Sequence, residues 1–174
     1  MRGGDPIGEE DEEGRQEVLA WTRRVERLAA SAILMICMAW PALSHDAAIR
    51  VIDGDTLVIN DQRVRLYGID APELHQTCED RPCGIQARDT LQALIAHHDL
   101  SCKPTAQDRY GRWVAICTAD GVDLSQAMAQ AGMAVAYLRY SAKYESDERV
   151  ARQQHVGIWA TQFVMPWDWR AGRR

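Results

Sequence analysis

Two short acidic runs hold the residues best suited to chemistry. Asp53-Gly54-Asp55-Thr56 sets two carboxylates around a turn glycine, and Asp70-Ala71-Pro72-Glu73 sets two more at the end of a strand. If the runs converge, they offer four hard oxygen donors. A cation such as Ca²⁺ takes roughly six to eight oxygens at about 2.3 to 2.6 Å, backbone carbonyls and waters included. Each run alone is equally well ordinary turn chemistry, since Asp-Gly is a favoured turn dipeptide. Spacing by itself leaves the metal undecided.

Arg65 falls in the middle of the strand-like run VRLYGI, five positions before Asp70. On an exposed edge such an arginine is commonplace, whereas beside carboxylates its planar fork offers two-point recognition of phosphate. Arg109 and Arg112, flanking Tyr110 and Gly111, are a second candidate for the same task. The formal charge is −5, and residues 45–174 carry 15 basic against 17 acidic residues. A broad basic face for nucleic acid is thereby excluded, so any such binding rests on a few local cations or a bound metal.

The elements that must position these groups read as follows. AIRVID, TLVIN and RVRLYGI between Ala48 and Ile69 predict three short strands with turns at Asp53-Gly54 and Asn60-Asp61. Residues 71–84, with two prolines and two cysteines, predict a loop, followed by a helix over 85–97. Residues 100–103 and 113–118 predict a hairpin around Asp-Arg-Tyr-Gly-Arg. Asp123 is expected to cap a helix reaching Ala131. A short strand over 133–138 and a last helix over 141–155, closed by Gly157, complete an α+β domain.

Ahead of this domain, Arg23, Arg24 and Arg27 precede the uncharged stretch LAASAILMICMAWPAL, the order of an export signal, with cleavage expected after Ser44. The alternative is an uncleaved anchor that tethers the domain to the membrane. An acidic arm, Glu9 to Glu13, lies upstream. The expected division is therefore 1–44 for arm and signal and 45–174 for the domain, placed in the periplasm or secreted. Four cysteines then remain, and in an oxidising compartment they read as disulfides. Cys102 and Cys117 fall on strands flanking the Asp-Arg-Tyr-Gly-Arg loop, where a symmetric hairpin sets them opposite each other, which leaves Cys78 for Cys83.

VIDGDT, RVRLYGIDAPE, DRYGR and GIW stand, in this order and spacing, as they do in the staphylococcal nuclease (thermonuclease) family, which the chain resembles from about Ile49 to Trp159. The cysteine-containing loop and the closing PWDWR look like its secreted proteobacterial branch. The resemblance implies a five-stranded Greek-key OB-fold barrel with about three helices. It implies a Ca²⁺-dependent nuclease that hydrolyses phosphodiesters of DNA and RNA to leave 3′-phosphate ends. No obligate protein partner is implied, and a monomer is expected.

Carried over by motif, Asp55 and Asp70 match direct calcium ligands and Ala71 a backbone-carbonyl ligand, although the family often has Thr there. Asp53 and Glu73 match carboxylates that reach the metal through water, with Glu73 also the candidate base. Arg65 and Arg112 match the pair on the scissile phosphate, and Tyr110 and Tyr137 match tyrosines near the nucleotide. Clustered carboxylates repel one another until a cation arrives, so the fold is expected to be separable from the metal site. The principal rival is a non-catalytic OB module that binds nucleic acid or protein. It predicts loss of the acidic and arginine set, all of which is present here.

Overall fold

The computed structural model describes residues 48–173, so the expected signal segment and its cleavage site lie outside the described residues. Three short strands open the domain: β1 (Ile49–Val51), β2 (Thr56–Ile59) and β3 (Gln62–Leu66). They pair antiparallel in succession, as the alternating pattern predicts. Asn60 and Asp61, which join β2 to β3, both have positive φ, the backbone of a tight hairpin turn whose twist suits the strands. Two-residue β4 (Ile69–Asp70) follows.

After the loop comes α1 (Cys83–Ile95), then β5 (Leu100–Gln107) and β6 (Trp113–Ala119). The remainder comprises β7 (Val122–Asp123), α2 (Leu124–Gln130), β8 (Val135–Ala136), α3 (Glu145–Gln153), a 3₁₀ turn (Gly157–Ala160) and α4 (Pro166–Arg170). The main sheet runs β1-β2-β3-β6-β5 with β7 paired to β6, and a separate ladder joins β4 to β8. The β3–β6 pairing is parallel, Arg65 lying opposite Val114.

The α+β class and the five-strand path agree with the expected OB-fold arrangement. Among the described residues no ladder joins β1 to β5, so the sheet is not closed by backbone pairing. Four α-helices are described rather than about three, because PWDWR forms its own short helix with proline at its first turn. The helix expected over 141–155 begins only at Glu145. Tyr144, buried beneath Gly68, donates its hydroxyl to Asp123 at 2.9 Å and anchors the chain there. Strand β5 runs past Pro104 to Gln107 because a bulge between Pro104 and Ala106 absorbs the missing N–H.

Ala87, Leu91 and Ile95, on one face of α1, pack with Leu57, Val64, Leu66, Ala115, Leu124 and Met128. Burying one such leucine contributes about 1.5 to 3 kcal/mol, so this core fixes the strand ends that carry the acidic runs. Asp123 caps α2 through the N–H groups of Ser125 and Gln126, as expected. A second apolar cluster joins Cys78 and Cys83 to Val135 and Ile158, with Trp159, Phe163, Met165 and Trp167 against it. Trp159 and Trp167 thereby hold the C-terminal segment against the domain.

Both disulfides pair as predicted, Cys78 with Cys83 and Cys102 with Cys117. Cys102 and Cys117 are direct cross-strand partners in the β5–β6 ladder. Two disulfides fit an extracellular or periplasmic setting. Among the described residues no helix is long and apolar enough to cross a membrane.

Candidate active site

The β2–β3 register sets Thr56 opposite Arg65, and neighbouring Val64 and Leu66 point into the core. Arg65 therefore projects from the other side of the strand, beside the turn that carries Asp55. Its Nη1 donates to Asp55 Oδ1 at 2.8 Å and its Nη2 to Asp70 Oδ1 at 2.6 Å. One guanidinium thus ties the two acidic runs together, confirming that they converge.

Asp55 is nearly inaccessible, and its remaining partners are the Thr56 hydroxyl at 2.9 Å and the Ala71 N–H at 3.0 Å. Burial alone would raise its carboxyl. The charge of Arg65, these hydrogen bonds and the more distant charge of Arg112 outweigh that and hold it below the usual carboxylate range. Asp53 has the opposite balance. Burial, reinforced by the charge of Asp55, pushes its carboxyl up to about 7, although its Oδ1 accepts the Asp55 N–H across the turn at 3.0 Å.

Asp70 is fully buried, and a second arginine reaches it from the far end of the chain. Arg170, the last residue of α4, donates from Nη2 to Asp70 Oδ2 at 2.7 Å and from Nη1 to Asp70 Oδ1 at 3.0 Å. The same Nη1 reaches Glu73 Oε1 at 2.6 Å. The cluster is not left to repel itself, as the acidic runs alone suggest, because two guanidiniums stand among the carboxylates. Sequence reasoning missed Arg170 as a site residue. Its signal was an arginine following two tryptophans in the terminal PWDWR, and nothing local connects it to residues 97 and 100 positions earlier.

Glu73 is positioned by its backbone. Its N–H donates to Gln76 Oε1 at 3.2 Å, while the buried Gln76 donates from Nε2 to the Val164 carbonyl at 2.6 Å. The loop bearing Glu73 and the segment leading to α4 are thereby coupled. Gly84 makes this approach possible: a Cβ there would lie 1.7 Å from the Glu73 carbonyl oxygen.

Arg112 approaches from the β5–β6 loop. Asp108 Oδ2 accepts from its Nε at 2.7 Å, and Asp108 Oδ1 accepts the backbone N–H groups of Tyr110 and Arg112. A carboxylate thus folds the loop and aims the guanidinium, yet sequence reasoning did not nominate Asp108. Tyr110 is exposed, with Arg109 and Arg112 over its ring at 4.8 and 5.6 Å. Tyr137 stacks on Trp167 at 5.9 Å between ring centres. It lines a cavity of about 560 Å³ together with Arg139, Met165 and Trp167.

The family comparison fits this geometry. The model of the staphylococcal nuclease homologue family matches residues 63–161, more than half the chain. The chain belongs to this family. It is accordingly a nuclease that hydrolyses phosphodiester bonds, with nucleic acid as its substrate. It is 33% identical over 149 residues to an uncharacterized endonuclease of Escherichia coli O157:H7, covering 79% of this chain and 94% of that one. A micrococcal nuclease of Shigella flexneri is 31% identical over 161 residues, 82% of this chain and 90% of the other. The succinoglycan biosynthesis protein ExoI of Rhizobium meliloti is 35% identical over 151 residues, 82% and 78% of the two chains.

Within this staphylococcal nuclease homologue, the donor chemistry suits a divalent cation. Asp55, Asp70 and Glu73 pair with the guanidiniums of Arg65 and Arg170, and Asp53 adds a fourth carboxyl beside Asp55 across the turn. Among the described residues, however, no three acidic, histidine or cysteine side chains converge as a ready-made cage. The arginines stand between them.

Proposed function

We propose that the protein is an exported, calcium-dependent nuclease that cleaves DNA and RNA to leave 3′-phosphate ends. The observation that carries this reading is the junction of Asp55, Asp70 and Arg65, with Glu73 beside it across Arg170. Residues 1–44 would be the acidic arm and signal, or an uncleaved tether, and residues 45–174 the nuclease domain, acting as a monomer.

Asp55 and Asp70 would hold Ca²⁺ through carboxylate oxygens, with the Ala71 carbonyl, and with Asp53 and Glu73 through water. When bound, the ion supplies Lewis acidity toward a phosphoryl oxygen. Glu73 accepts the proton of the attacking water, whose oxygen bonds to phosphorus. The bond from phosphorus to the 5′ oxygen breaks, and that oxygen leaves with the electron pair and takes up a proton. Arg65 and Arg112 stabilise the charge that develops on the phosphoryl oxygens, which suits their planar forks. Asp108 holds Arg112 by Nε, which leaves its terminal nitrogens for this task. Tyr110 and Tyr137 would flank the nucleotide.

The mild negative charge of residues 45–174 supports salt-sensitive binding, with small or single-stranded substrates favoured over long polymers. The test is end chemistry. Digestion of 5′-labelled single-stranded DNA and RNA should give fragments that a polymerase cannot extend until a phosphatase has removed the 3′-phosphate. Directly extendable DNA fragments would refute the proposed cleavage side.

A further inference from the structure

The helix α4 lies beyond the residues that match the family model, yet it delivers a guanidinium to the centre of the site. Each carboxylate has about four lone-pair positions. On Asp70, Arg65 and two nitrogens of Arg170 take three of them. On Asp55, Arg65, Thr56 and Ala71 take three. One position on each Oδ2 remains, and on Asp70 that oxygen already carries Arg170 Nη2. A cation ligated there would meet a like charge within a few ångströms.

We propose that Arg170 is a positioning residue of the active site: an internal cation that holds Asp70 and Glu73 in the metal-free protein and competes with the divalent ion for them. Three observations converge on this role. Arg170 binds both oxygens of the buried Asp70, as a bidentate counter-ion does. Its Nη1 also spans to Glu73, so one group fixes a ligand and the base together. The carboxylates are joined through arginine, Asp55 to Asp70 by Arg65 and Asp70 to Glu73 by Arg170.

The fold braces this contact from the neighbouring loop. Gln76 ties the Glu73 backbone to Val164, and Glu79 accepts the N–H of Gln162, so the loop and the segment before α4 are tied together. Trp167 on Tyr137 sets the start of α4, leaving its last residue over the carboxylates. When a cation takes Asp70, Arg170 is displaced from that carboxylate while α4 stays docked, and its fork becomes available to the phosphate anion. Arg170 thereby sets the calcium concentration at which the site loads.

This inference rests on the calcium reading, and its test separates the two. Calcium titration calorimetry on the full chain should give Arg170→Met an affinity at least about tenfold tighter than the parent, because a like charge beside the ion is gone. Without calcium, Arg170→Met should melt lower by roughly 5 °C, since Asp70 loses a buried partner. In saturating calcium that deficit should disappear. Arg170→Lys keeps the charge but cannot fork, so it should lie between the two in affinity, and it carries the test if the Met variant does not fold. Equal or weaker calcium binding by both variants would overturn the competition while leaving the calcium reading intact. Absence of calcium binding in all three proteins would sink the calcium reading, and the competition with it.

Discussion

Arg65 donates to the buried Asp70 at 2.6 Å from a guanidinium whose other nitrogen is held by Asp55 at 2.8 Å. A side chain read from sequence as a phosphate ligand is therefore also the internal bridge of the acidic cluster. Removing it leaves two buried carboxylates without their shared cation, a loss of about 3 to 5 kcal/mol for a buried pair. Arg65→Ala should unfold at markedly lower denaturant than the parent protein in calcium-free buffer. Arg65→Lys should retain part of that stability yet lose at least about 10²-fold in kcat/KM, since a point donor cannot span both carboxylates and the phosphate. A lysine variant of normal activity would reduce Arg65 to general electrostatics.

Asp108 is the organiser of the other arginine. Burial would raise its carboxyl, but the Arg112 side chain and the N–H groups of Arg112 and Tyr110 hold it below the ordinary value. A depressed carboxylate stabilises the fold fully above its unfolded value and loses that contribution as pH falls through the lower, folded value. Asp108→Asn should thus melt below the parent protein at pH 7, and the gap should close as pH falls below about 4. Its kcat should drop by about tenfold through misaligned Arg112. A gap of constant size across that pH range would contradict the ionic role of Asp108.

Two glycines separate placement of Glu73 from stability alone. Ala at Gly84 forces its Cβ onto the Glu73 carbonyl, whereas Ala at Gly121, with φ of +83°, meets no atom within 4 Å. Both substitutions cost stability, by about 1 to 3 kcal/mol. Only Gly84→Ala should also lower kcat, by at least about tenfold, at temperatures where both variants remain folded. Equal activities would mean that the Glu73 backbone position is not critical.

The Cys102–Cys117 bridge closes a 15-residue separation across the β5–β6 ladder that presents Arg112. Replacing both cysteines by serine should cost about 3 kcal/mol in chemical denaturation, and the shorter Cys78–Cys83 loop less. A larger loss from the Cys78 and Cys83 pair would show that this bridge carries the C-terminal cluster.

The parts legible in the sequence are those whose partners are near in the chain. The meander and its Asn60-Asp61 turn, the Asp123 cap and the cross-strand cysteines all follow from local pattern. Spacing left the convergence of the acidic runs open; the β2–β3 register settles it by setting Arg65 opposite Thr56, within reach of both runs. Arg170 was not legible, since helix α4 has only five residues and meets Asp70 through a contact spanning 100 positions. Asp108 was hidden for a different reason. In a turn it resembles any capping aspartate, and only the arrangement of its three bonds shows that it aims Arg112.

Calcium-dependent phosphodiester hydrolysis by Asp55 and Asp70 can be read out in one assay. Release of acid-soluble nucleotides from single-stranded DNA should be measured for the parent protein, Asp55→Asn and Asp70→Asn, with calcium and with chelator. The parent protein should release nucleotides in calcium alone, with both variants at least about 10²-fold slower. Undiminished release in chelator, or near-normal rates in both asparagine variants with calcium, would contradict it.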